Sequence, residues 1–218
     1  MFMPPAGQFD ITTLLEAEEV IFDTDGVLLD WVSPFAPWAA RRLNRPLDPS
    51  KITEFNLTSW LGVDSVAEMV EMVTLFNGSA EHGFDRLPPM PGAVDIVALL
   101  HARGTTMRVV TSCSDDPAVK DLRVGNLVRT FGDVFQDIVV LGLGADKTAA
   151  LKRFDPALWI DDHWPNLDAG AAAGHSPILM NASYNQVRLD GGRDDYPRIT
   201  DWRHLMADIQ PAGLAASV

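Results

Sequence analysis

The sequence predicts an α/β fold: a doubly wound parallel five-stranded sheet with a small helical cap inserted after the first strand. Three observations carry this. Five short apolar runs, rich in β-branched residues, read as buried strands. Helical patterns lie between them, and that alternation is what a parallel sheet requires. Polar residues stand directly behind the runs, on what becomes one rim of the sheet.

The elements follow in order. Val20-Ile21-Phe22 is the first strand, and the Asp-Gly of Asp23-Thr24-Asp25-Gly26 turns the chain behind it. Ser33-Pro34 reads as an N-cap with proline at the first helical position, and the helix runs to about Leu43 before Arg45-Pro46 ends it. Ser65 and Glu68 form a capping-box pattern. They open a helix with apolar positions at Val66, Met69, Val70, Val73 and Phe76, and Asn77-Gly78 stops it. Pro88-Pro89 and Pro91-Gly92 mark the return to the core. Met107 to Ser112 is a second strand ending in the hydroxyls of Thr111 and Ser112. Asp137 to Gly142 is a third, with Asp146-Lys147-Thr148 shortly after it. Leu158 to Asp162 is a fourth, ending in two carboxylates, and Pro177 to Asn181 is a fifth. Residues 1–30 and 90–210 are thus expected to form the core, 31–89 the cap and 211–218 a loose tail.

Composition narrows the function. The 218 residues suffice for one α/β domain with an insertion. Seventeen basic against 30 acidic residues give a net charge of -13, which disfavours long nucleic acid and anionic membrane surfaces. One cysteine, Cys113, excludes an internal disulfide and fits a reducing, cytoplasmic setting. Residues 1–7 show no signal-peptide pattern, and no run approaches the length of a membrane span. The five histidines lack zinc spacing, no P-loop is present, and Cys113 has no supporting histidine and asparagine constellation.

Asp23 and Asp25 leave a strand end two residues apart, where open α/β sheets bind ligands. Such acids repel each other unless a cation or a shared proton relieves them. They suit a carboxylate nucleophile beside a carboxylate acid/base with a divalent metal nearby; a solvated Asp-Gly turn is the bland alternative. Four polar strand tips on one rim favour the chemical reading.

In order, Asp23-Thr24-Asp25-Gly26-Val27-Leu28, Thr111, Lys147 and Asp161-Asp162 resemble the four signature motifs of the haloacid-dehalogenase-like (HAD) hydrolase superfamily. The likeness spans roughly residues 18–185. Pro91-Gly92-Ala93, Asn126-Leu127 with Phe131-Gly132, the Trp159 to Asp162 strand end and Tyr184-Asn185 are most similar to its 5'-nucleotidase and deoxyribonucleotidase branch. The resemblance implies a magnesium-dependent phosphomonoesterase working through an aspartyl-phosphate. Asp23 is then the nucleophile, Asp25 the acid/base, and Lys147 the neutralising cation. Thr111 and Ser112 bind the phosphoryl group. Magnesium is held by Asp23, the Asp25 backbone carbonyl and Asp162, with Asp161 direct or through water. Asp168 is either a further acid of this motif or a surface residue.

The implied partner is a small phosphorylated metabolite, with a nucleoside 5'-monophosphate expected. Trp31 and Phe35, the cap aromatics nearest the first motif in sequence, are candidates to stack on its base; burial in the cap's own core is the competing reading for these and for Trp38, Phe55 and Trp60. The alternatives are a sugar-phosphate or other small-metabolite phosphatase or phosphomutase on the same scaffold, and a non-catalytic binding protein of this fold.

Overall fold

The computed structural model describes residues 7, 9–79 and 82–207. Its sheet has six parallel strands: β1 (Glu19–Phe22), β2 (Thr106–Ser112), β3 (Asp137–Leu141), β4 (Leu158–Asp161), β5 (Ser176–Met180) and β6 (Arg198–Ile199). Five are those the sequence predicts. The sixth pairs Arg198 and Ile199 with Leu179 and Met180 of β5, and two residues are too few to carry an apolar pattern. The expected tail, residues 211–218, lies outside the described residues.

The strand order is β3-β2-β1-β4-β5-β6. The chain builds outward from β1 on one side, then crosses back to β4 and builds outward on the other. The connections therefore diverge between β1 and β4, and a crevice forms beyond their carboxyl ends. Register aligns those ends: Phe22 pairs with Ile160 on one side and Val109 on the other.

Among the described residues the α-helices are α1 (Ile11–Leu15), α2 (Val32–Leu43), α3 (Thr58–Leu61), α4 (Val66–Asn77), α5 (Ala93–Ala102), α6 (Pro117–Phe131), α7 (Thr148–Leu151), α8 (Trp164–Ala173) and α9 (Trp202–Ala207). Both sheet faces are covered, which is why the strands read as unbroken apolar runs. Phe22, Val109, Ile160 and Ile178 belong to one buried cluster, and Ile21, Val110, Trp159 and Leu179 to another. Among the described residues no helix is long and apolar enough to cross a membrane.

Helices α2, α3 and α4 form the insertion between β1 and α5. The predicted Ser33 cap is displaced: α2 starts at Val32, and the Asp30 carboxylate accepts from the Ser33 amide at 3.0 Å. The Ser65 cap holds, with its hydroxyl accepting from the Glu68 amide at 3.2 Å. The two crossing segments are tied together, Asp30 donating to the Pro88 carbonyl and Met90 to the Leu28 carbonyl. Phe35, Trp38 and Phe76 of the insertion join the same buried cluster as Phe22 and Leu100 of the core.

Candidate active site

The carboxylates of Asp23, Asp161 and Asp162 converge beyond the ends of β1 and β4. Their nearest oxygens all lie within 4.8 Å of one another, and all three residues are buried. Asp23 is locked to the neighbouring strand by its amide, which donates to the Ile160 carbonyl at 2.9 Å. Lys147, just before α7, places its buried Nζ 2.8 Å from both Asp23 Oδ1 and Asp161 Oδ2. Gly26 makes this close approach possible. It sits at φ 76°, and a Cβ there would collide with the Asp162 carboxylate.

Asp161 is fully engaged. Its Oδ2 accepts from Lys147, while Oδ1 accepts from the His163 amide at 2.7 Å and from Asn166 at 3.1 Å. Asp162 instead accepts from the Tyr184 phenol, and Asn185 holds the Asp162 carbonyl at 2.7 Å. Asp23 Oδ1 is buried against the Lys147 ammonium, its partner at 2.8 Å. Asp161 thus has both oxygens taken by three donors, whereas the Asp23 side chain is paired with Lys147 and the Asp162 side chain with Tyr184.

The electrostatics are those of a site short of positive charge. Burial raises the Asp23 carboxyl above its ordinary value; Lys147 opposes this and Asp161 reinforces it. Burial raises Asp162 well above its ordinary value too, helped by the charges of Asp161 and Asp23. Burial works against the Lys147 ammonium, but Asp161 and Asp23 outweigh it and hold it above the usual lysine range. Counting Asp25 and Arg123, four carboxylates face two cations in this region. The all-carboxylate donor set and the uncompensated charge fit a hard divalent cation.

Asp25 lies at the mouth of this cluster. Its side chain is 29% exposed and is paired with the fully buried Arg123 of α6. Burial raises its carboxyl, and Arg123 opposes the rise. Thr111 is buried at the end of β2, beside β1, while the Ser112 hydroxyl donates to the Ala145 carbonyl at 3.2 Å in the loop leading to Lys147. Cys113 is buried, and burial pushes its thiol up to about 11, which leaves it a poor nucleophile. Asp168 is a surface partner of Arg188 and Tyr196, away from the cluster.

Of the two aromatics nearest the first motif in sequence, Phe35 is placed otherwise than expected. Phe35 has no exposed surface. Its ring stacks on Trp31 at 4.1 Å and meets Phe76 edge-on at 5.2 Å, so it presents no face to a ligand. Trp31 is tied down by the same stack and by a 2.8 Å hydrogen bond from its indole to Asn77. Phe35 builds the interior of the insertion, and half-buried Trp31 packs against it. The insertion aromatic that reaches the site is Phe55. Its ring stacks on His163 at 3.6 Å and meets Tyr184 edge-on at 5.9 Å, directly beside Asp162. Burial, seconded by the Lys147 charge, lowers His163 to about 4, so the stacked ring is neutral at pH 7.

Sequence reasoning did not find Arg123, Asn166 or the role of Tyr184. Arg123 looks like any arginine on a helix face, and only the packing of α6 against the first loop reveals it. Pro91-Gly92-Ala93 and Tyr184-Asn185 have local structural work of their own. Gly92, at φ 87°, abuts Trp202 and Arg203, and Asn185 donates to the carbonyls of Met180 and Asp162.

No family model and no curated protein matches the sequence. Solved structures do match. CbbY from Rhodobacter sphaeroides in complex with phosphate aligns with 17% identity over 87% of this chain and 96% of its own, at a TM-score of 0.56. The HAD-hydrolase YfnB from Bacillus subtilis, bound to magnesium, gives 18%, 88%, 98% and 0.54. This chain has the haloacid-dehalogenase-like fold. Protein Tyrosine Kinase A from Mycobacterium tuberculosis aligns at 18% identity, over 88% of this chain and 97% of its own, with a TM-score of 0.63. Proteins named for different reactions share this architecture, so the reaction has to be argued from the site.

Proposed function

We propose that this chain is a magnesium-dependent phosphomonoesterase acting through an aspartyl-phosphate on a small sugar-phosphate or similar metabolite phosphate. The observation that carries the reading is the buried Asp23, Asp161 and Asp162 cluster with Lys147 set between two of its members. Asp23 Oδ attacks phosphorus in line while Asp25 gives its proton to the departing ester oxygen. Asp25 then takes a proton from water as that water attacks phosphorus and frees Asp23, releasing inorganic phosphate. Lys147 neutralises the phosphoryl oxygens, and Thr111 with the amides after it binds them. Asp23 and Asp162 with the Asp25 backbone carbonyl would hold magnesium, which supplies charge neutralisation when bound.

The substrate class follows from what the insertion offers. Phe35 is wholly buried and half-buried Trp31 is held by its stack and by Asn77, so the nucleotide reading loses one of its two aromatic supports. CbbY has a further structure in complex with xylulose-(1,5)bisphosphate, which supports a compact sugar phosphate. Phosphate release from a panel of sugar phosphates, hydroxy-acid phosphates and nucleoside monophosphates, with magnesium or with chelator, tests this. Preference for a nucleotide would overturn the substrate class alone. Undiminished turnover by Asp23→Asn would overturn the mechanism.

A further inference from the structure

We infer that Arg123 is a positioning residue that aims the Asp25 carboxyl at the departing ester oxygen; this rests on the phosphatase reading above. One nitrogen of Arg123, Nη2, donates to both Asp25 oxygens, at 2.6 and 2.5 Å. That straddling contact fixes the plane of the carboxyl. The guanidinium in turn is fixed from below, its central carbon 3.7 Å from the centre of the Phe84 ring.

The burial argues for a purpose beyond packing. Taking a guanidinium fully out of water is costly unless it is paired and hydrogen-bonded. An arginine that only braces a fold commonly uses its fork on two acceptors at once. Here Nε and Nη1 meet no oxygen or nitrogen acceptor among the described residues, with only the Cys113 thiol beside the guanidinium, and Asp25 is the only carboxylate paired with Arg123 among them. The arrangement is therefore poor as a brace and specific as a rest for one carboxyl. Its anchors are interior, while Asp25 itself stays at the open side.

The frame behind Arg123 is rigid. Asn126, three residues further along α6, donates to the Leu87 carbonyl at 3.1 Å. Helix α6 thus holds the return segment of the insertion at Phe84 and Leu87 and, through Arg123, the Asp25 side chain of the first loop. The backbone around Asp25 is also held, with Gly26 donating to the Leu29 carbonyl at 2.9 Å.

The test uses leaving groups. A p-nitrophenolate departs without a proton, whereas an alkoxide needs one from Asp25. In Arg123→Met, kcat/KM, which reports phosphoryl transfer to Asp23 and not the later water step that also uses Asp25, should fall about 100-fold for the best alkyl phosphate of the panel and less than about fivefold for p-nitrophenyl phosphate. Arg123→Lys should fall between. Both esters are measured on one preparation, so any misfolded fraction cancels in their ratio. In an Asp25→Asn background, Arg123→Met should cost little more, because it acts through a group already removed. Equal losses on both esters, or additive losses in the double variant, would overturn the inference about Arg123 and leave the phosphatase reading standing. Inactivity of the unaltered chain on every ester would overturn both.

Discussion

Lys147 and Asp161 meet 2.8 Å apart at the rim of the sheet, although 14 residues separate them in sequence. The same lysine stands 2.8 Å from Asp23. Asp161 is therefore a fixed post that holds Lys147 against Asp23, the proposed nucleophile. Asp162, whose carboxylate takes only the Tyr184 phenol among the described hydrogen bonds, is the better cation ligand.

The two adjacent aspartates should consequently fail in different ways. Asp161→Asn should lower kcat by roughly 10–100-fold while leaving the magnesium concentration for half-activation nearly unchanged. Asp162→Asn should raise that concentration by roughly 100-fold or more, since even outer-shell partners of a metal are worth 10–100-fold in affinity. Magnesium titrations of activity separate them; the reverse pattern would exchange the two roles.

Magnesium should also stabilise the fold. A cation that binds only the folded chain adds about 2.7 kcal/mol at 100 times its Kd. For a chain of this size that corresponds to a rise in Tm of about 5–10 °C. Melting curves with magnesium against chelator provide the check, and the shift should vanish in Asp162→Asn.

Without metal, the pH dependence should carry an unusual sign. Burial, then the charges of Asp161 and Asp23, lift the Asp162 carboxyl well above its ordinary 3.8. A carboxyl with a raised folded value holds its proton more tightly in the folded chain than in the unfolded one. Its contribution to stability is complete below the unfolded value and is lost as pH rises through the folded value. Asp162→Asn, which never ionises, should thus be more stable than the parent at about pH 8 in chelator, with the gap closing toward about pH 4. Excess magnesium should reverse the order at about pH 8. A gap that does not change with pH would place the strain elsewhere.

What the sequence made legible follows from range. Asp23, Lys147 and Asp161 were readable because each sits at or just beyond the end of an apolar run, and parallel strands bring such ends together. The capping of α4 was readable because its partners lie three residues apart. Arg123 and Asp25 are separated by 98 residues, and their pairing depends on how α6 packs on the first loop. The stack of Phe55 on His163 depends on a loop of the insertion reaching the core. No local pattern encodes either contact. Proximity in sequence to the first motif was the wrong guide for Phe35, because a helix that opens at Val32 turns that ring into the insertion's small interior.

That contrast yields the last prediction. Phe35 is wholly buried among Trp31, Trp38 and Phe76, so Phe35→Ala opens a cavity. It should cost about 3–5 kcal/mol of stability, and the KM of whatever fraction stays folded should be unchanged. Phe55 is 53% exposed and contributes little to the interior, so Phe55→Ala should leave Tm within about 2 °C. Its ring nevertheless spans the insertion and the core over His163 and Tyr184, the neighbours of Asp162. Losing it uncovers one side of the crevice, and KM for the preferred phosphate ester should rise roughly three- to thirtyfold, the range of one lost aromatic contact. Thermal melts and steady-state kinetics on both variants decide the matter. A KM effect confined to Phe35→Ala would return the substrate wall to α2.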